Sequence, residues 1–194
     1  MAYQTYTTDA LVIGSFDQLT ADRNIMLLTR DAGLVFGRAI SVRKEQSKLR
    51  YGLQDFSLSR VSLVRGKHGW RVIGAEECTN LYFMSDDRVV RGALLRIIKL
   101  VRRFVRGEEA HAIFYDALID GLTTLASVPK EKVLLLERIL TLRLLAILGY
   151  VAPHDSYAHF LEQPSLREFE SATLEKEGAI IHRAIDRALA ASQL

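Results

Sequence analysis

Phe56-Ser57-Leu58-Ser59-Arg60-Val61-Ser62-Leu63-Val64-Arg65-Gly66-Lys67-His68-Gly69-Trp70-Arg71-Val72-Ile73 is the stretch that decides the fold. Apolar and small polar residues alternate along it. Phe56, Leu58, Val61 and Leu63 read as one face, and Ser57, Ser59 and Ser62 as residues turned elsewhere. Alternation of this kind marks a strand with one buried side. Lys67-His68-Gly69 supplies the turn, because glycine accepts the positive φ of a tight hairpin, and Trp70-Arg71-Val72-Ile73 opens the next strand.

Upstream, short apolar runs at 10–13, 25–28 and 34–36 are separated by polar or glycine-bearing turns, with a tight reversal expected at Asp31-Ala32-Gly33. Five strands within about 70 residues predict a small closed barrel, since a sandwich usually needs about seven. From Ser85 onward the period changes. Val90, Leu94, Ile97, Val101 and Phe104 recur every three or four residues, the spacing of an amphipathic helix that Gly107 can end. Glu108 and Glu109 suit the positive start of a second helix, which carries Ile113, Phe114, Ala117, Leu118, Leu122 and Leu125. Pro129 opens a third, apolar nearly all round and ended by Gly149, so it is expected at the buried centre. Ser165 and Glu168 form a capping-box pattern before a last helix bearing Ile181, Ile185 and Leu189. The fold class is therefore α+β: a barrel over 1–82, then an α-helical domain over 83–194.

Composition bounds the function. The 194 residues are 49% hydrophobic and 25% charged with three prolines, which excludes disordered and collagen-like chains. The single Cys78 excludes an internal disulfide framework and a zinc site of several thiolates, and reads as a small apolar filler. Residues 1–8 are polar and uncharged, unlike a secretory signal, and no apolar run approaches the roughly 18 residues of a membrane span, so a cytoplasmic protein is expected. Residues 1–106 carry 18 Lys/Arg against 10 Asp/Glu, whereas 107–194 carry 8 against 13. The net +3 thus hides a basic half and an acidic half, and the basic half points to a polyanion.

No phosphate-binding loop, dinucleotide fingerprint or nucleophile elbow is present. His154 and His159 flank Asp155, but an i, i+5 pair does not share a helix face and reads as ordinary loop rather than metal site. With no metal, cofactor or active site indicated, the expectation is a non-enzyme. Arg38, Arg43, Lys44, Lys48 and Arg50 fall within thirteen residues, opposed only by Glu45, with Tyr51 beside them. Arg60, Arg65, Lys67 and Arg71 form a second cluster without an acid, bracketing His68 and Trp70. Cations interleaved with aromatics suit phosphates and unpaired bases; the alternative is a solvated barrel surface with Trp70 in the core. Arg96, Lys99, Arg102, Arg103 and Arg106 make a third basic face on the first helix. It could extend a nucleic-acid track, grip an acidic protein tail or lie on an anionic membrane, the last disfavoured because the opposite face is needed for the helical core.

The order of these elements resembles the RecO family of recombination mediators. The resemblance runs through Ala10-Leu11-Val12-Ile13, then Leu27-Leu28-Thr29-Arg30-Asp31-Ala32-Gly33, and on to Leu49-Arg50-Tyr51-Gly52-Leu53-Gln54-Asp55-Phe56 and Ile73-Gly74-Ala75-Glu76. It continues through Leu135-Leu136-Glu137-Arg138 to Leu144-Leu145-Ala146-Ile147-Leu148-Gly149-Tyr150, covering roughly 8–153. The resemblance implies an oligonucleotide-binding (OB) barrel followed by a helical domain. It also implies binding of single- and double-stranded DNA, annealing, and loading of RecA onto strands coated by single-strand-binding protein (SSB), within the RecF pathway of the nucleoid. Arg43, Lys44, Lys48 and Arg50 match the family's basic loop, and Arg138 matches the arginine at its SSB-tail pocket, the alternative being a bond from Arg138 to Glu137 or Glu131. Two departures stand out: Ser41-Val42-Arg43 lacks the family's loop glycine, and His154 to Gln163 contains no cysteine where many relatives carry a zinc finger. The resemblance therefore describes a short, zinc-free or divergent relative, and carries a RecR contact less firmly than DNA binding. The rival reading keeps the scaffold but makes it an RNA-binding or protein-interaction module.

Overall fold

The computed structural model describes residues 4–18, 21–162, 166, 169 and 172–191. Two compact units emerge, Met1–Met84 with Ile98–Tyr115, and Ser85–Ile97 with Asp116–Leu194.

The first unit is built on five strands, β1 (Thr5–Gln18), β2 (Asp22–Thr29), β3 (Gly33–Ala39), β4 (Ser57–Gly66) and β5 (Gly69–Asn80). They close in the order β1-β2-β3-β5-β4, antiparallel throughout except where β3 runs parallel to β5. That circuit is the OB barrel. Ala10, Val12, Ile25, Leu27, Val61 and Leu63 fill the interior, each nearly or wholly withdrawn from solvent. At the parallel seam, a Cβ on Gly37 would stand 2.8 Å from a Val72 methyl, so only glycine lets the two strands close there.

The serines of β4 correct the simple alternation. Ser57 and Ser59 point inward with Val61 and Leu63 and are buried. Their hydroxyls have work to do: α1 (Leu49–Gly52), a single helical turn, brings backbone carbonyls against β4. Ser59 Oγ donates to Gly52 O at 2.7 Å, and Ser57 Oγ donates to Tyr51 O at 3.4 Å while accepting from Asn80 Nδ2 at 3.0 Å. Buried acceptors need donors, and a serine fits where a bulky side chain would displace the turn. Cys78 is also not an interior filler. It is the extra residue of a β5 bulge and is exposed.

On the outer side of β1–β3, Leu11, Leu28 and Leu34 are nonetheless buried. Segment 98–115 lies against this end of the barrel, where Leu34 N–H donates to Gly107 O at 2.9 Å. Gly33, at φ +65°, turns the chain where the Glu109 backbone would collide with any Cβ. Glu108 and Glu109 accordingly belong to this packed loop and not to a helix start. The next helix, α3 (Ala112–Ser127), begins later because His111 Nδ1 accepts the Phe114 N–H at 3.2 Å and caps it. Ile113, on that first turn, is 72% exposed and so leaves the apolar stripe.

In the helical unit, α2 (Arg88–Phe104) buries the expected stripe, from Val90 through Leu94 and Ile97. The helix α4 (Lys130–Ile147) buries Leu135, Leu136, Ile139 and Leu140. Its Leu-Gly-Tyr ending is a Schellman cap: Gly149 takes φ +80°, Gly149 N–H donates to Ala146 O and Tyr150 N–H to Leu145 O. The short α5 (Ala158–Glu162) precedes α6 (Ala172–Ala191), which buries Ile181 and Ile185. Ser165 and Glu168, the capping-box pair, lie outside the described residues. Among those described, no helix is long and apolar enough to cross a membrane.

Candidate nucleic-acid interface

The loop from β3 to β4 carries the first basic cluster, and its shape is set by acids from distant strands. Asp22 on β2 is buried, accepts Ser41 N–H at 2.8 Å, and holds Arg38 by Nε at 3.1 Å and Nη2 at 2.7 Å. The Ser41 amide, then the Arg38 guanidinium, hold this carboxyl below its ordinary range. Asp17 on β1 accepts from Arg23 at 2.8 Å and pairs with Arg43 at 3.2 Å; its carboxyl is likewise lowered, first by Arg23. Counting opposing charges along the chain missed both aspartates. It also missed Arg23, which with Arg43 and Arg50 lines a cavity of about 310 Å³ floored by Val42 and Leu53. Lys44, Lys48 and Arg50 are exposed and have no ion-pair partner among the described residues, and Tyr51 beside them is 65% exposed.

The second cluster is less uniform than its sequence. Arg60 sits in a sheet row between Asp9 on β1 and Glu76 on β5, and with Lys48, Thr7 and Ser62 it borders a groove of about 530 Å³. Arg65 pairs with Glu108 at 3.1 Å and lies over the Trp70 ring at 5.2 Å. Trp70 packs against the barrel core and meets Tyr6 edge to face at 5.4 Å. Lys67 and Arg71 remain exposed, and Arg71 stands directly across from Arg38 in the β3–β5 ladder.

The basic helix face divides. Arg96 turns to the buried Glu137 and binds both its oxygens, at 2.5 and 2.7 Å. An unpaired carboxylate in that apolar setting would be costly, so Arg96 is taken up by the helical unit. Lys99, Arg102, Arg103 and Arg106 stay exposed, with Arg103 5.5 Å from the Phe104 ring. Arg102 reaches the barrel: its guanidinium lies 3.5 Å from where a Gly14 Cβ would stand.

Around that contact the outer face of β1–β3 forms a small grid. One row is Gly14 (covered by Arg102), Met26 and Phe36; the next is Phe16, Asn24 and Arg38. Phe16 and Phe36 are 50% and 51% exposed. Neither phenylalanine belonged to the sequence-derived set. Their signal was present only as outward positions in strands whose inward neighbours are apolar, and it needed the register to be read.

Arg138 on α4 is half-buried and has no hydrogen-bond or ion-pair partner among the described residues, since Glu137 is already taken by Arg96. Of the histidines weighed as ligands, His154 stacks on Tyr157 and His159 on Phe160. Among the described residues no group of three His, Cys, Asp or Glu could hold a metal ion.

Comparison with known proteins follows the same path. The family model described as "Recombination protein O N terminal" matches residues 1–81. A DNA repair protein RecO from Dehalococcoides mccartyi is 30% identical over 145 residues, 75% of this chain and 56% of that protein. The RecO of Heliobacterium modesticaldum is 33% identical over 145 residues, 75% of this chain and 52% of its own. That of Pelotomaculum thermopropionicum is 28% identical over 154 residues, 79% and 59% respectively. The chain spans about half the length of the curated relatives it matches.

Proposed function

The chain belongs to the RecO family, and from that membership we propose that it is a non-enzymatic mediator of DNA repair and homologous recombination. The barrel, residues 1–82, binds single- and double-stranded DNA, the basic face of α2 holds a further strand, and Arg138 in the helical domain, 83–194, receives a protein tail. Annealing is driven by charge neutralisation. Two strands repel until cations screen their phosphates, after which base pairing supplies the free energy. The mediator then helps RecA onto SSB-coated strands, with the SSB tail at Arg138 and RecR as a further partner, in the cytoplasm at the nucleoid. No cofactor is called for.

The observation that carries this reading is the exposed trio Lys44, Lys48 and Arg50 beside the exposed Tyr51, on the loop from β3 to β4 and on α1. Lys48 and Arg50 are available to phosphates at no cost in broken ion pairs, while Lys44 also lies in the field of Asp22. The test is fluorescence anisotropy of the full chain with a labelled DNA single strand and the matched RNA, at two salt concentrations. DNA affinity is expected to fall steeply with salt, and Lys48→Glu with Arg50→Glu to lower it by about tenfold or more. Unchanged affinity in that double variant overturns the loop assignment. A strong preference for RNA, or no nucleic-acid binding, overturns the DNA reading in favour of an RNA-binding or protein-interaction module.

A further inference from the structure

We infer that the cavity lined by Arg23, Arg43 and Arg50 beside α1 receives the terminal phosphate of a nucleic-acid strand, so that the protein distinguishes strand ends from strand interiors. The inference rests on the DNA-binding reading and adds to it a preference for one chemical group, the phosphate monoester. The cavity, of about 310 Å³, is lined by Arg23, Val42, Arg43, Arg50, Leu53 and Gln54. Three segments meet there: β2, the loop after β3, and α1 with the residues that follow it. Arg43 N–H donates to Ala21 O at 3.1 Å, which ties the loop to the β1–β2 turn, and Leu53 N–H donates to Leu49 O at 3.1 Å, which closes the turn of α1. Val42 and Leu53 are thereby set into the barrel core, 4% and 2% exposed.

Three features fit a monoester better than the diesters of a continuous chain. The first is the floor. Val42 and Leu53 belong to the packed interior, so a group that enters the cavity stops at them, and a strand can fill the cavity only with its end. The second is charge. None of the six lining residues is acidic. The nearest carboxylate in the ion pairs is Asp17, which takes Arg23 Nε at 2.8 Å and Arg43 Nη1 at 3.2 Å, while Arg50 has no ion-pair partner among the described residues. Three cations against one carboxylate leave an excess that suits the charge of a terminal phosphate, about −1.5 to −2 near neutral pH, better than the single charge of an internal diester. The third is the supply of donors. Arg23 gives its Nε–H to Asp17 and Arg43 meets it through Nη1 alone, so most of their guanidinium N–H groups remain for a ligand, and the shared carboxylate holds both forks in place beforehand.

The same chemistry separates this ligand from a peptide carboxylate. A carboxylate brings two oxygens and one charge to three guanidinium groups, whereas a phosphate monoester brings three acceptor oxygens and nearly twice the charge. A strand passing over the cavity offers its cations only diesters. The gain therefore belongs to one end of each strand, and it is greatest on short strands, where interior sites are few.

The experiment measures binding of the full chain to a short oligothymidine labelled on an internal base and ending in a 5′-phosphate, a 3′-phosphate or hydroxyls at both ends. At least one phosphorylated strand is expected to bind about tenfold more tightly than the hydroxyl-ended strand, and the arm that does so names the end. Arg23→Gln and Gln54→Glu are each expected to bring that ratio close to one. The first removes a guanidinium fork; the second sets a negative charge in the lining without touching the core, and keeps the test open if Arg23→Gln disturbs the pair with Asp17. Arg71→Gln, in the β3–β5 ladder and outside the cavity, is expected to weaken all three strands alike and to keep the ratio. Equal affinities for the three strands, a preference that survives either cavity variant, or one lost equally in Arg71→Gln overturns the phosphate site while the DNA reading stands on the salt dependence. Failure of the unaltered protein to bind any strand overturns the DNA reading itself, and the site with it.

Discussion

Asp22 shows how a single carboxylate organises a loop. It is buried at the end of β2, fixes the Ser41 amide and clamps Arg38, so the course of the loop and the position of one candidate phosphate contact depend on the same side chain. Its folded carboxyl is lowered by those bonds. A depressed carboxyl contributes stability that is present above its unfolded value, near 3.8, and is lost as the pH falls through the folded one. Asp22→Asn is therefore expected to lower the thermal midpoint at neutral pH and to flatten the loss of stability below about pH 4; an acid limb unchanged from the parent protein would count against this role. In the sequence, Arg38 and Arg43 read as parts of a cluster opposed only by Glu45. Asp17 and Asp22 were invisible as partners because they precede the cluster by 16 or more residues and reach it only through the β1–β2–β3 register.

Among the elements, the helices were easier to read than the strands, because a helix buries a stripe that its own sequence repeats. The stripe of α2 from Val90 to Phe104 appears as expected, and the glycine after α4 ends it in the predicted place. Two exceptions have local causes: His111 supplies the α3 cap, and α1 recruits Ser57 and Ser59 inward to meet its carbonyls. The basic stripe of α2 was legible as charge, yet only packing separates Arg96 from the rest. Its partner Glu137 is 9% exposed, while the Arg96 side chain keeps 57% of its surface in water. The two halves of the pair should respond unequally to substitution. Arg96→Met strands a buried carboxylate and is expected to cost about 2–3 kcal/mol; Glu137→Gln leaves an arginine that water can solvate and is expected to cost less, about 1 kcal/mol. Urea midpoints of the two variants measure the difference, and equal or reversed costs would contradict this description of the pair.

For the whole molecule, charge divides between the two units. The basic surface belongs to the barrel unit, including Arg102 in its segment 98–115, while the helical unit offers Arg138, a cation among leucines with no described partner. An acidic peptide ending in an apolar residue needs a cation beside an apolar surface. If that surface is at Arg138, Arg138→Ala is expected to reduce affinity for an SSB-tail peptide by about tenfold or more while leaving DNA affinity as it was. Isothermal titration with the peptide decides it, and an unaltered affinity would remove Arg138 from the partner site.

By itself the sequence determined the class of the molecule: five short strands, then helices, and a surplus of cations in the first 106 residues. Those features are local, since periodicity, turn glycines and charge counts depend on neighbours along the chain. Only tertiary structure decided which cations are already satisfied and which face water. It also placed Phe16, Phe36 and Arg102 on one face and turned two serines into the barrel. The physical reason is that an ion pair, a sheet row or a cavity forms between residues near in space and far in sequence, and its members are joined only when the barrel closes.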